Sequence, residues 1–237
     1  MTSSTYQIIV QNMSPGTQYF YVFQKQAQFQ SVGTTTDILS NSLGCQNVGN
    51  YQSSGAQINF GLDAQIYAGA VSTMAPVPPS QAAAAFSLPI NFLMVSTTMA
   101  ARQIALTTAG GNALNATTLT LNPLGLSSPV TQAGTPIGAF AINVPSYTPM
   151  SPPQLYSGVA ALNADQTIIL SSFIAPPPNT PSTCAPQQVF FVKIGYYPTG
   201  SRITYDEINA ARCDFTTGFT VIIVTYNSNG TFSVQGQ

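Results

Sequence analysis

The sequence contains no histidine and no tryptophan, and only five Lys or Arg and six Asp or Glu among 237 residues. Charged residues make up 5% of the chain, against roughly a quarter in an ordinary globular protein. Each shortage excludes something. Without histidine, the usual general base, the proton shuttle and the commonest metal ligand are missing. A Lys base beside a serine nucleophile would need a Ser-x-x-Lys pattern, and none is present. A net charge of −1 provides no clustered Lys and Arg to neutralise phosphates, so nucleic-acid binding is not expected. Attraction to an anionic membrane surface is disfavoured for the same reason.

Long apolar runs are also missing. The longest, Phe219 to Tyr226, is far short of the roughly 18 residues that span a bilayer, and it is β-branched. Residues 1–12 have neither a basic start nor a sustained apolar stretch, so no signal peptide is visible. The expectation is a chain that stays in the cytoplasm or leaves by an unconventional route, unless Met1 stands in for a removed signal. The three cysteines, Cys45, Cys184 and Cys213, fit no zinc or redox spacing. They read as buried apolar residues or as one bridged pair plus a free thiol. No metal and no cofactor is expected.

Gln, Asn, Ser and Thr replace the missing charge. Hydrophobic residues stand at 44%, so the supply for a core is intact and disorder is not expected. A neutral, amide-rich surface lacks the repulsion that keeps copies of a protein apart. That favours self-association, against the plainer reading of a low-charge monomer.

Strand patterns dominate the chain. Tyr6, Ile8 and Val10 alternate with Gln7, Ile9 and Gln11. A Pro-Gly turn at Asn12–Gly16 and the run Gln18–Gln24 follow, which together read as a β-hairpin. The second run is apolar on both faces, as in a central strand. Residues 31–54 read as loop. Strands are expected at 56–62, continuing to 67, and at 90–95, 102–107, 117–121, 137–144, 167–173 and 188–194. Residues 81–86 hold four consecutive Ala, a helix-favouring run too short to stand and soon ended by Pro89. Gly110–Asn112 reads as a turn. Residues 175–186, with five prolines, read as a surface loop or polyproline II segment. Thr204-Tyr-Asp-Glu207 matches a capping box, so a two-turn helix is expected over 204–212. Residues 219–226 and 231–234 around Asn227–Gly230 read as a C-terminal hairpin. The expected fold is all-β: a β-sandwich of two packed, mainly antiparallel sheets with one short helix near 204–212. It forms a single domain over 1–237, with subdivision near 76–79 or 149–153 as the alternative.

Two groups of residues stand out as candidate sites. Lys193, Arg202, Asp206, Glu207, Arg212 and Asp214 hold six of the eleven charges. They could form an acid–base cluster, but helix capping and local ion pairing explain their spacing. The tyrosines are a surplus. Tyr19, Tyr21, Tyr196 and Tyr197 lie on or near strand ends, as do Tyr205 and Tyr226. Aromatic faces beside amides can hold a sugar ring, while ordinary strand packing accounts for them equally. Matches to the N-glycosylation pattern at Asn12, Asn115 and Asn229 are expected by chance in so Asn- and Thr-rich a chain.

No catalytic residues emerge. The leading expectation is a non-enzymatic structural protein that self-associates through its neutral β surfaces, with itself as partner. A carbohydrate- or small-ligand-binding module is the alternative, with glycans as partner. The third reading is an enzyme that acts by positioning its substrate.

Overall fold

The computed structural model describes residues 5–30, 37–73, 98–162 and 167–237. The first half holds β1 (Thr5–Asn12), β2 (Gln18–Gln24), β3 (Gln28–Gln30), β4 (Leu39–Asn41), β5 (Gly44–Val48), α1 (Tyr51–Ser54), β6 (Ile58–Asp63), β7 (Tyr67–Ser72), β8 (Thr98–Gln103) and β9 (Ala116–Leu121). Then come β10 (Leu124–Leu126), β11 (Phe140–Asn143), β12 (Leu155–Leu162), β13 (Ile168–Ile174), β14 (Pro181–Ala185), β15 (Val189–Ile194), β16 (Arg202–Ile203), β17 (Ala211–Asp214), β18 (Val221–Tyr226) and β19 (Phe232–Gly236). The fold is all-β and sandwich-like, but with four sheets rather than two.

Two sheets form one layered pair. Their orders are β19-β18-β1-β6 and β17-β15-β2-β5. Alternation turns Ile8 and Val10 of β1 inward with Phe60 and Leu62 of β6 and Ile222 and Val224 of β18. They meet Phe20 and Val22 of β2 and Phe190 and Val192 of β15 in a shared core. The other two sheets, β10-β9-β11-β14-β3 and β16-β4-β13-β12-β7-β8, enclose a second core. It is built on Leu119, Phe140, Ile142, Leu155, Val159 and Cys184. Most pairings are antiparallel; β1 runs parallel to β18, and β9 parallel to β11.

Polar side chains join the two halves. The β12–β13 register slips after Val159, which pairs with Ser172, while Ala160 pairs with Leu170. Ser171 is therefore the extra residue of a bulge, and a bulge re-aims its side chain. The buried Ser171 hydroxyl donates to Gln24 Oε1 on β2 at 2.6 Å. Gln24 Nε2 donates to the Gln187 carbonyl at 2.8 Å, and the Ala27 amide donates to Ser172 Oγ at 3.0 Å.

The expected hairpin between 6 and 24 is corrected. Both strands exist and β2 is central, but they lie in different sheets. β1 pairs with β6 and β18, and β2 with β5 and β15. The turn is an arch from one layer to the other, held by the fully buried Asn12. Its Oδ1 accepts from the Ser14 amide and hydroxyl, and its Nδ2 donates to the Gly16 and Val48 carbonyls. Asn12 and Asn115 are both buried and hydrogen-bonded, which removes them as sugar acceptors.

The helix expected over 204–212 is also corrected. Residues 204–207 are irregular, Asn209 turns at φ 56°, and β17 begins at Ala211. Among the described residues the α-helix is α1, whose N-cap Asn50 accepts from the Ser53 amide at 3.0 Å. Residues 175–186 contain β14, an inner strand that starts at Pro181. Proline is tolerated at the first strand position, where its missing donor costs least. Residues 31–54 are not all loop, since β4, β5 and α1 lie there. The strand at 58–63 stops before β7 changes sheet, and the strand expected at 137–144 shrinks to β11. The strand expected at 102–107 covers only the end of β8. The run at 81–86, the strand expected at 90–95 and the alternative boundary at 76–79 lie outside the described residues. The C-terminal hairpin, β18 with β19, forms as expected.

Asn12→Ala removes both donors and the acceptor from the arch. It is expected to destabilise the fold by about 2–4 kcal/mol, since each orphaned buried partner costs on the order of 1–3 kcal/mol. Denaturant unfolding of both proteins checks this; equal midpoints would show that the arch does not depend on Asn12.

Candidate functional site

β2 alternates Tyr19, Tyr21 and Phe23 onto the outer face of its sheet, while Phe20 and Val22 face the core. Such a face would ordinarily meet solvent. Here the chain leaves β15 and folds back across it over residues 195–210. Tyr21, Phe23, Val189 and Phe191 are buried beneath that strap, with the strap's own Ile203 packed against them. Gly195 makes the bend at φ 148° and donates to the Tyr19 carbonyl at 3.0 Å. A Cβ there would lie 3.2 Å from the Tyr21 ring and 3.3 Å from the Tyr197 ring, so the close approach calls for glycine.

The bend brings all four expected tyrosines together. The Tyr19 and Tyr196 centroids lie 5.0 Å apart with planes at 77°. Tyr21 and Tyr197 lie 4.7 Å apart. Tyr21 is 4% exposed and belongs to the packing, whereas Tyr19 at 43% and Tyr196 at 67% present open faces. Burial, helped by Tyr197 and Asp206, pushes the Tyr21 hydroxyl up to about 12. Asn47 of β5 stands opposite Tyr19 in the register, and Cys45 opposite Tyr21. A groove of about 310 Å³ opens between β5 and β6, lined in part by Cys45, Gln46, Asn59 and Phe60 and by none of the four tyrosines. Asn47, Gln46 and Asn59 were not singled out from sequence. Gly44-Cys-Gln-Asn-Val48 has little β propensity, and only its pairing with β2 reveals the site. Tyr226 lies elsewhere, against Phe20 and Phe232.

The six charged residues do not converge. Lys193 Nζ meets Asp206 Oδ2 at 2.5 Å, and the Ile208 amide donates to Asp206 Oδ1 at 2.8 Å. Arg212 meets Asp214 at 2.6 Å on β17. Glu207 accepts from the Tyr205 hydroxyl, whose oxygen in turn accepts from the Gln26 amide at 3.3 Å. Arg202, on β16, stacks on Tyr156 of β12 and Phe173 of β13 in its own sheet. The contact with Lys193 holds the Asp206 carboxyl below its ordinary range. The Thr216 hydroxyl and Arg212 do the same for Asp214. Both are ionised at neutral pH, so neither is a ready proton donor.

The three cysteines are free thiols. Burial pushes Cys213 up to about 12 and Cys184 well above its ordinary value. Among the described residues no three His, Cys, Asp or Glu side chains come together as metal ligands. No described helix is long and apolar enough to cross a membrane.

No known protein family, curated protein or solved structure matches this chain.

The strap gives a pH prediction. Asp206 has a depressed value in the fold and one near 4 when unfolded. Its contribution is therefore full above about pH 5 and drains as pH falls through the folded value. The stability gap between wild type and Asp206→Asn is expected to be present at neutral pH and to shrink below about pH 4. Urea midpoints across that range measure it; a gap that stays constant would show that the ion pair does not hold the strap.

Proposed function

We propose that this protein is a non-enzymatic structural protein that self-associates through the free edge of β19. The observation carrying this reading is the edge itself. Asn227 donates to the Thr231 carbonyl and Gln237 to the Val221 carbonyl, each at 2.8 Å. This register turns the N–H and C=O groups of Phe232, Val234 and Gly236 away from β18. Among the described residues no strand pairs on that side.

Natural edges are protected by charge, proline, a bulge or shortness. Residues 231–237 contain no charge and no proline. The other edges differ. β8 carries Arg102, β6 ends at Asp63, β17 carries Arg212 and Asp214, and β3, β10 and β16 have two or three residues. β5 is uncharged too, and it borders a groove that it shares with β6. Two β19 strands meeting antiparallel about a two-fold axis would pair Val234 with Val234 and join two four-stranded sheets into one. Exposed Phe219 and Val234 would gain cover, and the net charge of −1 opposes the contact little.

Sedimentation velocity at rising concentration is expected to show dimers or larger species, changing little between low and high salt. Val234→Pro deletes an outward N–H and spares the bonds to β18. It should return the protein to monomers, with an unfolding midpoint in dilute solution within about 1 kcal/mol of wild type. A strict monomer for the wild type at high concentration would sink the reading.

A second reading has its own observation. The open faces of Tyr19 and Tyr196 make a corner beside Asn47, which suits a sugar ring stacked on one face with its hydroxyls met by an amide. Glycan-array binding that is lost in both Tyr19→Ala and Tyr196→Ala is the expected result; an array without hits would remove it.

A further inference from the structure

The outer face of the β16-β4-β13-β12-β7-β8 sheet is apolar. Leu170 and Phe173 are buried on it with Val71 and Tyr156 packed alongside. A cavity of about 500 Å³ lies over this face, lined by Val71, Met99, Tyr156, Leu170, Phe173 and Arg202 among others. That volume lies within the range of small-molecule sites, roughly 300–1,000 Å³.

Arg202 is the unusual element. Its guanidinium carbon sits 5.5 Å from the Tyr156 ring centroid and 5.6 Å from that of Phe173. Two rings thus set the position of the planar fork. The other arginines have acceptors: Arg212 meets Asp214, and Arg102 donates to the Leu126 carbonyl at 3.1 Å. Arg202 has neither a carboxylate nor a carbonyl acceptor among the described residues. A guanidinium carries five N–H donors in a fork that matches a carboxylate. Cation–π contact engages its face and leaves the N–H edges free.

We infer that this cavity binds a medium-chain carboxylate, its head on the Arg202 fork and its tail along Val71, Met99, Leu170 and Phe173. The inference is independent of the β19 edge and of the tyrosine corner. It assigns a ligand class by charge complementarity: a cation with no acidic partner among the described residues, at the rim of an apolar space, takes an anion with an apolar tail. A neutral amphiphile of equal length would lack the head contact. A short anion would lack the tail.

Calorimetric titration of the full chain with octanoate, 1-octanol and acetate tests this. Octanoate should bind saturably and at least tenfold more tightly than 1-octanol, with acetate showing no saturable binding. Arg202→Gln should weaken octanoate about tenfold or more and bring it level with 1-octanol, while leaving the unfolding midpoint near wild type. Arg202→Lys should recover only part of the loss, because a point charge lacks the fork. Met99→Gln, at the exposed rim, should weaken octanoate and 1-octanol alike. Absence of saturable octanoate binding would overturn the inference. So would equal affinity for octanoate and 1-octanol in the wild type, or octanoate binding that survives Arg202→Gln unchanged.

Discussion

The hydrogen bond from Ser171 to Gln24 ties the two halves of this fold together, beside the Ala27–Ser172 bond and Ile169, which reaches from β13 into the first core. It is buried, neutral and 2.6 Å long. Gln24 lies on the central strand of one layered pair, and Ser171 on a bulge in the other. A sheet residue that broke the pleat without a partner would leave a buried hydroxyl unsatisfied, which costs more than most contacts return. Here the bulge and the amide satisfy each other, and Gln24 passes its remaining donor to the Gln187 carbonyl. The same logic recurs at Asn12 in the arch and at Asn115, whose amide bridges Thr107 and Gln132. Amides and hydroxyls do in this chain what ion pairs do elsewhere. They avoid the desolvation penalty that buried charges carry, so the low charge is compatible with a well-specified interior.

The strap over residues 195–210 shows the local version of this arrangement. It covers an aromatic sheet face that would otherwise be an exposed apolar patch. The Tyr205 ring meets Phe23 edge-on at 5.7 Å, and its hydroxyl joins Gln26 to Glu207. Lys193 reaches Asp206 from the strand beneath. The charges that looked like a chemical centre in the sequence are fastenings for this strap and for the turn after β17, where Asp214 accepts from the Thr216 amide at 3.0 Å. Arg202 departs from the pattern, since among the described residues it fastens to rings and to no acid.

Much of the strand inventory was legible because burial on a sheet has period two. β2, β9, β15 and β18 were each readable from alternation or from apolar β-branched runs. Pairing was not legible. Alternation says which face a residue takes, but nothing about which strand lies beside it. Thus β1 was assigned to β2 across a Pro-Gly turn when its partners are β6 and β18. The capping box at Thr204–Glu207 failed for a tertiary reason. Helix signals are worth about a kcal/mol, and burying Tyr205 on Phe23 with Asp206 on Lys193 outweighs them. β14 was hidden by its prolines, since five in twelve residues read as loop until Pro181 is seen to occupy only the first strand position. The tyrosine site was half legible. Tyr19 and Tyr21 share a face by alternation, but Tyr196 and Tyr197 join them only because Gly195 bends the chain back.

Scarcity of charge also bears on what the surface does. Most proteins place a Lys or Asp on an open edge to refuse further strands, and this chain has few to place. Its charges are concentrated on the strap and on β17, and β17 lies at the opposite end of its sheet from β5. The β18–β19 hairpin, from Phe219 to Gln237, has no charged side chain. Phe219 packs across Gly236, where a Cβ would sit 2.4 Å from the ring. That contact keeps the end of β19 extended and in register, as aromatic cover does for glycine on an edge. A frayed strand would make a poor template, whereas an extended, hydrogen-bonded one without charged side chains offers its outer N–H and C=O groups already aligned. The hairpin is thus both ordered and undefended, and the proposed pairing of two copies rests on this combination.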